Sequence, residues 1–204
     1  MAFDVTSEAT DTTNNEVPSV VNPDNATMQL DPAQAKAARL MDFKRQGGEW
    51  TVNGRPWEDV INRRFTLLEA HPGLNDVEIW TIRNNSNGWF HPVHIHLVDF
   101  KMLTRNGKPV FNYEQGPKDV AYVGENETIR AIMRFGTAGD PSTDGRYMIH
   151  CHNLPHEDHD MMTQFCVGTD VDRDPDSTKG PDDPANANCN DPINGDPAYK
   201  SPVT

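Results

Sequence analysis

The sequence of 204 residues is poor in basic residues and contains no long hydrophobic run. Eighteen lysines and arginines stand against 31 aspartates and glutamates, which gives a formal net charge of -13. A surface this acidic repels nucleic acids and anionic membranes, so neither is an expected partner. No stretch of about 18 apolar residues occurs, which excludes a transmembrane helix. The first twenty residues are polar and acidic, so they do not resemble a signal peptide.

Cysteine is also scarce, since the chain has only Cys151, Cys166 and Cys189. An odd number leaves at least one cysteine outside any disulfide. Cys151 lies among histidines and is a candidate metal ligand. Cys166 and Cys189 either pair, which would indicate an oxidising compartment, or are two unrelated thiols. We take an extracytoplasmic location, secreted or periplasmic, as the expectation.

The composition divides the chain into three parts, of which one is long enough for a sizeable domain. Residues 1–37 are expected to hold a strand end, a polar linker and a possible short helix with Asp31 as N-cap and Pro32 in its first position. Residues 38–168 are expected to form the domain. Residues 169–204 are rich in aspartate and proline, which favours an extended acidic tail without a packed core.

Short apolar segments separated by turns between residues 38 and 168 predict an all-β sandwich or barrel. The dipeptide Asn53-Gly54 is a turn signal. The segment "VEIWTI" is apolar on both faces, as is typical of a buried strand. In "IRAIMRF" apolar and basic residues alternate, which indicates a strand with one buried face.

Two stretches concentrate the histidines of the chain. In the first, "HPVHIHLVDF", His94 and His96 are two residues apart, so both point to the same face of a strand. His91 is expected before that strand, next to Pro92. The second stretch, "HCHNLPHEDHDMM", occupies residues 150–162 and follows "GRYMI".

The second stretch predicts two metal sites that share one strand. If "RYMIHCH" forms a strand, His150 and His152 point to one face and Cys151 points to the other. The two sites would then lie back to back and be connected through the backbone of Cys151.

The donor atoms on the two faces differ in kind. One face offers a thiolate (Cys151), two imidazoles (His91 and His156) and a methionine thioether, which is the donor set of a blue-copper electron-transfer centre. This set disfavours zinc, whose structural sites close with four tight ligands. The other face offers only imidazoles, which suit copper that binds oxygen, and they belong to His94, His96, His150 and His152.

Two further histidines are not expected to bind a metal, and the choice between two methionines stays open. His71 and His159 are interpreted as ordinary surface or core histidines. Met161 and Met162 both lie close enough in sequence to supply the thioether, and either one could instead be part of the core.

The segments "HPVHIHLVDFKML" and "HCHNLPHEDHDMM" resemble the C-terminal cupredoxin domain of multicopper oxidases. The resemblance is closest to the bilirubin oxidase, spore-coat laccase and phenoxazinone synthase types. It covers most of residues 1–168 and is weak before about residue 48. It implies a cupredoxin-like Greek-key β-sandwich and copper as the cofactor, with four copper ions in a complete enzyme.

The resemblance also implies a role for each candidate residue. Glu157 matches an acidic residue that delivers protons during oxygen reduction, although it could be a solvated surface carboxylate. Trp89 either flanks the substrate edge or packs in the core. Cys151 and His156 are implied to take up and transfer electrons. The implied ligands are His91, Cys151, His156 and Met161 for type 1 copper, His94 for type 2 copper, and His96, His150 and His152 for type 3 copper.

The resemblance is incomplete in one respect. The trinuclear type 2/type 3 centre of the family uses eight histidines, and this chain offers four. In the family the others come from two His-x-His motifs of an N-terminal domain, and no second such pair occurs here. The resemblance therefore implies a fragment or subunit whose partner is a set of N-terminal cupredoxin domains.

The expected function is that of an oxidase domain. A small reducing substrate (phenolic, bilirubin-like or a metal ion) would be oxidised at type 1 copper, and dioxygen would be reduced to water at the shared trinuclear centre. The alternative is a single-domain blue-copper electron carrier. A carrier of this kind would explain the type 1 ligands equally well. It would leave the imidazoles on the other face without a role, and they belong to His94, His96, His150 and His152.

Overall fold

The computed structural model describes residues 4, 6–8, 10–11, 22–63, 65, 67–136 and 143–168. The predicted acidic tail and Cys189 lie outside these residues. Within them, none of the helices has the length and apolar character needed to cross a membrane.

Nine strands are found in the described part of the chain. They are β1 (Ala37–Gln46), β2 (Glu49–Val52), β3 (Val77–Asn84), β4 (His91–Ile95), β5 (Phe100–Arg105), β6 (Val120–Val123), β7 (Thr128–Arg134), β8 (Gly145–Cys151) and β9 (Met162–Val167). Two short α-helices follow β2 and β8, and they are α1 (Trp57–Asn62) and α2 (Leu154–Glu157). Three 3-10 turns cover Ala26–Gln29, Pro32–Gln34 and Asn112–Glu114.

The strands form two sheets. One has five strands in the order β2-β1-β3-β7-β5, and the other has four in the order β6-β4-β8-β9. The pair β1 and β3 is parallel, and the other paired strands run antiparallel. The predicted all-β sandwich is therefore confirmed.

The core is built from large side chains of both sheets. Trp80 of β3 is fully buried and its ring lies 5.2 Å from that of Phe135 and 5.3 Å from that of Phe165 of β9. Burial of each such side chain contributes roughly 1.5–3 kcal/mol. These contacts tie the four-stranded sheet, which carries half of the candidate ligands, to the five-stranded sheet.

The segment "VEIWTI" forms most of β3 and is buried on both faces as predicted, although it contains one charged residue. The carboxylate of Glu78 is buried and accepts hydrogen bonds from Arg39 (2.6 and 2.7 Å) and from the indole N–H of Trp80 (2.8 Å). A buried charge is tolerated where it is paired and hydrogen-bonded in this way. Strand β7 alternates as predicted, except that Ile132 on its second face is buried in a smaller core cluster.

Two local predictions are confirmed. The side chain of Asp31 caps the 3-10 turn Pro32–Gln34 by accepting from the Ala33 N–H. Asn53 and Gly54 have φ values of 52° and 79° and form the tight turn after β2. Positive φ at two successive turn residues is favoured by Asn-Gly.

One local prediction is wrong. His91 does not precede the strand but is the first residue of β4, where it pairs with Val123 of β6. The proline at position 92 does not prevent this pairing, because the antiparallel ladder with β6 continues through Pro92 opposite Tyr122. His91 therefore obeys the strand alternation and points to the face opposite that of His94. The boundaries at residues 37 and 168 stay predictions.

Candidate metal centre

The register of β4 against β8 brings the two histidine stretches together. Val93 lies opposite Cys151 and His94 lies opposite His150. Because side chains alternate along both strands, the cysteine and the histidines of this pair face opposite sides of the sheet. The structure thus has the back-to-back arrangement that the alternation predicted.

The first group of candidate ligands, called here the thiolate site, consists of His91, Cys151 and His156. Cys151 Sγ lies 3.4 Å from His91 Nδ1 and 3.6 Å from His156 Nδ1, and the two nitrogens are 3.3 Å apart. All three side chains are buried. His156 comes from α2, which follows directly after β8 and turns back over the end of that strand.

These distances fit a metal ion bound by three donor atoms. Bonds of about 2.0–2.3 Å to nitrogen and sulfur in a trigonal arrangement require donor atoms about 3.5–3.8 Å apart. The observed triangle is slightly smaller than this, so an ion would need only small shifts of the side chains. A His₂Cys trigonal set is the donor set of blue-copper sites.

The titration properties of the site also fit a bound cation. Burial raises the pKa of the Cys151 thiol to about 12, with a smaller contribution from the carboxylate of Glu157. Burial, together with the neighbouring His156, lowers the pKa of His91 to about 3. A buried thiol of this kind becomes a thiolate when a cation coordinates it, and a neutral imidazole is the form that binds metals.

Ser86 fixes the orientation of His91. Its Oγ is hydrogen-bonded to His91 Nε2 at 2.7 Å, which leaves Nδ1 as the nitrogen that faces Cys151. Hydrogen bonds of this kind select the tautomer and the ring orientation of a ligating histidine. The sequence analysis missed Ser86, and only its position in the loop before "HPVHIHLVDF" could have suggested a role.

The structure distinguishes the two candidate methionines. Met161 is fully buried, its N–H donates to the carbonyl of His156 (3.0 Å), and its carbonyl accepts from the N–H of Cys151 (3.0 Å). Met162 is half-buried and begins β9. Met161 is therefore held by its backbone beside two members of the thiolate site.

Aromatic side chains surround His156. The ring of Trp50 stacks on its imidazole at 3.8 Å with an angle of 26° between the planes. The ring of Trp89 meets the same imidazole edge-on at 5.4 Å. The guanidinium of Arg45 lies 5.1 Å from the centre of the Trp50 ring. Trp50 and Arg45 were missed by the sequence analysis, because nothing in "KRQGGEW" connects β1 and β2 with a helix a hundred residues later.

The second group, called here the histidine group, consists of four imidazoles on the other face of β4 and β8. The Nε2 atoms of His96 and His150 are 3.2 Å apart. The ring of His94 lies 4.9 Å from that of His96 and 5.5 Å from that of His150. His152 is exposed, and its ring lies 5.4 Å from that of His150.

One ring nitrogen each of His94, His96 and His150 lies within 4.8 Å of the others. His94 Nδ1 is hydrogen-bonded to the carbonyl of Asp119 at 2.9 Å, so Nε2 is the ring nitrogen that could bind a metal. Burial lowers the pKa of His96 and of His150 from the ordinary value. Neutral imidazoles with converging nitrogens fit a metal ion such as copper.

Glu157 lies between the two groups. Its Oε2 atom is buried without a hydrogen-bond partner and is 3.4 Å from His150 Nδ1. Buried polar atoms are normally hydrogen-bonded, so an unpartnered carboxylate oxygen beside an imidazole is unusual.

His71, His159 and Cys166 belong to neither group. His71 is exposed and its Nε2 is hydrogen-bonded to the carbonyl of Gly168 at 2.9 Å. His159 is exposed and its Nδ1 is hydrogen-bonded to the carbonyl of Pro155 at 2.6 Å. Cys151 is a free buried thiol, whereas Cys166 is disulfide-bonded. The predicted partner Cys189 lies outside the described residues.

The fold and the two groups define a class of protein, namely β-sandwich metalloproteins in which a His₂Cys site and an imidazole site share one strand. A family profile described as multicopper oxidase matches residues 29–171 of the chain. The chain belongs to the multicopper oxidase family, and the metal that the family implies is copper.

Characterised relatives agree with this assignment. The chain is 47% identical over 131 residues to a bilirubin oxidase of Albifimbria verrucaria, an alignment that covers 62% of this chain and 21% of that protein. It is 38% identical over 145 residues to a laccase of Bacillus stratosphericus, with 58% of this chain and 27% of that protein covered. The chain therefore spans about a fifth to a quarter of the length of these relatives.

Solved structures show the same fold. The McoA multicopper oxidase of Aquifex aeolicus matches with a TM-score of 0.59 and 26% identity, covering 68% of this chain and 30% of that chain. A laccase of Pediococcus acidilactici matches with a TM-score of 0.57 and 26% identity, covering 69% of this chain and 28% of that chain. The cupredoxin-like fold implied by the two histidine motifs is confirmed.

Proposed function

We propose that the chain is the domain of a laccase-like or bilirubin-oxidase-like enzyme that takes up electrons from a reducing substrate and passes them towards dioxygen. The proposal depends on one observation, which is the back-to-back arrangement of the thiolate site and the histidine group on β4 and β8. Cys151 is joined in the chain to His150 on one side and His152 on the other. A covalent path of a few bonds therefore connects the two faces.

The thiolate site is proposed as a type 1 copper site. His91, Cys151 and His156 would be its tight ligands, and Met161 would be its weak axial ligand. The triangle of donor atoms with edges of 3.3–3.6 Å and the burial of Met161 beside them support this assignment. The hydrogen bond from Ser86 to His91 Nε2 orients the ring so that Nδ1 faces Cys151.

The histidine group is proposed as half of a type 2/type 3 centre, with His94 for type 2 copper and His96, His150 and His152 for type 3 copper. Bound copper would supply the one-electron redox chemistry at the thiolate site and the reduction of dioxygen to water at the histidine group. The protein supplies neutral imidazoles in fixed orientations, as the hydrogen bond of His94 to Asp119 illustrates.

The histidine group needs a partner. His152 is exposed, His94 and His96 are half-buried and His150 is buried, and the sequence holds no His-x-His motif besides the two formed by these residues. The matched part of the chain covers only 21% of the bilirubin oxidase and 27% of the laccase. N-terminal cupredoxin domains, on another chain or fragment, would supply the missing imidazoles and cover this face.

Glu157 is proposed to hold and deliver protons to the oxygen-reducing side. The support is geometric, because its unpartnered Oε2 atom is buried 3.4 Å from His150 Nδ1. Oε2 is therefore the atom at which a proton would be held. A solvated surface carboxylate would instead have both oxygens in contact with water.

The reducing substrate is a small molecule of the phenolic or bilirubin-like kind, or a metal ion. Among the described residues, the only groups of three or more potential ligands close enough to share an ion are the thiolate site and members of the histidine group. An extracytoplasmic location stays part of the proposal, and the disulfide at Cys166 supports it.

The proposal is tested by loading the chain with copper in the absence and in the presence of N-terminal domains that carry two His-x-His motifs. The chain alone should absorb strongly at about 600 nm, as expected of a cysteine thiolate bound to type 1 copper, and should consume no dioxygen. The assembly should consume dioxygen, as followed with an oxygen electrode.

Other outcomes decide between the candidate functions. A colourless copper-loaded chain would contradict the type 1 assignment, and steady dioxygen consumption by the chain alone would contradict the need for a partner. An assembly that binds one copper ion per chain and consumes no dioxygen would identify an electron carrier, for which the histidine group has no role.

A further inference from the structure

The candidate ligand on the substrate side, His156, is not accessible from the surface pocket beside it. A pocket of about 430 Å³ lies next to the thiolate site, and its lining includes Arg45, Trp50, Glu58 and His159. His156 is not part of that lining and is only 3% exposed. A molecule in the pocket can therefore touch Trp50, which in turn contacts His156, without touching His156 itself.

Trp50 is fixed between the pocket and His156 by its strand and by its neighbours. It lies in β2, where it is paired with Arg45 of β1, and only 8% of its surface is exposed. Its ring stacks on the imidazole of His156 at 3.8 Å, close to the distance of direct contact between aromatic planes. The Arg45 guanidinium, 5.1 Å from the centre of the ring, adds a cation–π contact.

The geometry points to Trp50 as the electron-transfer bridge between an aromatic reducing substrate in the pocket and His156. This inference rests on the proposed function, because it requires type 1 copper at the thiolate site. One electron leaves the substrate and reduces copper(II) to copper(I), and a phenolic substrate releases its hydroxyl proton to water. Trp50 is not itself oxidised, since it supplies only orbital contact between the donor and the imidazole.

Trp89 is the competing candidate for the same role. It is 41% exposed and touches His156, so a substrate could bypass the pocket and use it instead. Its ring, however, meets the imidazole edge-on at 5.4 Å, whereas Trp50 stacks face to face at 3.8 Å. Electronic coupling falls steeply with distance and depends on overlap of the π faces. Both criteria favour Trp50.

The charges around the pocket determine the choice of probe. Arg45 is the only lysine or arginine in its lining. Four carboxylates lie there as well, and they belong to Glu49, Glu58, Asp158 and Asp160. An anionic donor would be repelled by this excess of negative charge. Hydroquinone is neutral, aromatic and a one-electron donor, so it suits the pocket.

The first experiment uses the copper-free chain and NMR spectroscopy. In the native chain the ring protons of His156 lie under the face of Trp50 and should be shifted upfield, and the Trp50→Leu variant should lose that shift. Hydroquinone should perturb the indole N–H signal of Trp50. The control Trp57→Leu removes an indole that packs on Phe65 instead, at 6.0 Å, and should leave both results unchanged. A hydroquinone response at Trp89 without one at Trp50 would overturn the inference.

The second experiment follows anaerobic reduction of the copper-loaded chain by hydroquinone in a stopped-flow instrument. Trp50→Leu should slow loss of the blue absorption by about tenfold or more at an unchanged copper potential, which corresponds to ~1.4 kcal/mol of barrier. Trp50→Phe keeps an aromatic ring at the site and should recover part of the rate, which also covers the case that the leucine variant does not fold.

The outcomes distinguish failure of the Trp50 bridge from failure of the proposed function. If the native chain is blue and Trp50→Leu is reduced as fast as the native chain, the bridge is wrong and the proposed function stands. The same holds if only Trp89→Leu is slow, or if a changed potential accounts for the whole rate difference. If the native chain binds copper without blue colour, the proposed function is wrong, and the copper-free experiment then decides whether the pocket delivers an aromatic molecule to Trp50.

Discussion

The thiolate site and the histidine group share β4 and β8 but differ in how complete they are. The members of the thiolate site, His91, Cys151 and His156, are buried, and the site is closed by residues of this chain alone. The histidine group is partly exposed, and its most exposed member is His152. The inner site is thus complete within one domain, whereas the outer site has a free face. A single strand can serve both because its side chains alternate between the faces.

The largest expected effect is at the residue that joins the two sites. Cys151→Ser should abolish the absorption at about 600 nm, because a serine oxygen cannot supply the thiolate of a blue-copper set. Copper binding by the histidine group should persist, since its imidazoles lie on the other face of the strand. Metal analysis and absorption spectroscopy of the two proteins check this. The exposed His159→Gln variant is the control and should remain blue, and a blue Cys151→Ser variant would disprove the site.

The next largest effect tests whether copper affinity depends on the orientation of the His91 ring as well as on its presence. Ser86→Ala removes the hydrogen bond to His91 Nε2 and should lower copper affinity at the thiolate site by about 10–100-fold. Competition with a chelator measures the affinity. Ser86→Thr keeps the hydroxyl and should remain close to the native value. Equal affinities for all three proteins would show that Ser86 does not orient the ligand.

A third prediction concerns pH in the copper-free chain. Burial, with His156 nearby, lowers the pKa of His91 from 6.5 to about 3, so protonation of His91 favours the unfolded chain. Stability should therefore be full above pH 6.5 and fall as the pH is lowered towards 3, by at most about 1.4 kcal/mol per pH unit from this residue. Urea unfolding at several pH values measures the slope.

The matched variant is His91→Asn, which should reduce that slope without abolishing it, because burial also lowers the pKa of His96 and of His150. If His91→Asn keeps the native slope, the pH dependence arises elsewhere and the thiolate site is less closed than its burial indicates.

The smallest expected effect is at the axial position. Met161→Leu should raise the potential of type 1 copper and keep the blue colour, because a thioether is a weak donor. Met162→Leu is the matched control and should leave the potential unchanged. If only Met162→Leu changed the copper potential, Met162 and not Met161 would be the axial ligand.

Half of the candidate ligands lie on regular strands, and His96 and His152 directly follow those strands, so the face of most of them could be predicted from the sequence. The alternation of His150, Cys151 and His152 follows from the period of two of a β-strand. The same rule applies to His94 and His96. It failed for His91 only because the strand was expected to begin after that residue, whereas the pairing with β6 begins at His91 itself.

The surroundings of the ligands could not be predicted in this way. Trp50 stacks on His156 although more than a hundred positions separate them, and the contact depends on how the β1–β2 hairpin packs over α2. Ser86 is close in sequence to His91, but the loop between β3 and β4 decides that its hydroxyl reaches the ring. No periodic pattern encodes either contact.

The sequence by itself determined which residues bear donor atoms and, for His94, His96 and the run 150–152, on which face of the strand each one lies, since strand geometry is local. The tertiary structure decided which of them are buried, how far apart the donor atoms are, and that Trp50 separates His156 from the adjoining pocket. The physical reason is that burial and contact depend on the packing of two sheets, to which residues far apart in the chain contribute together.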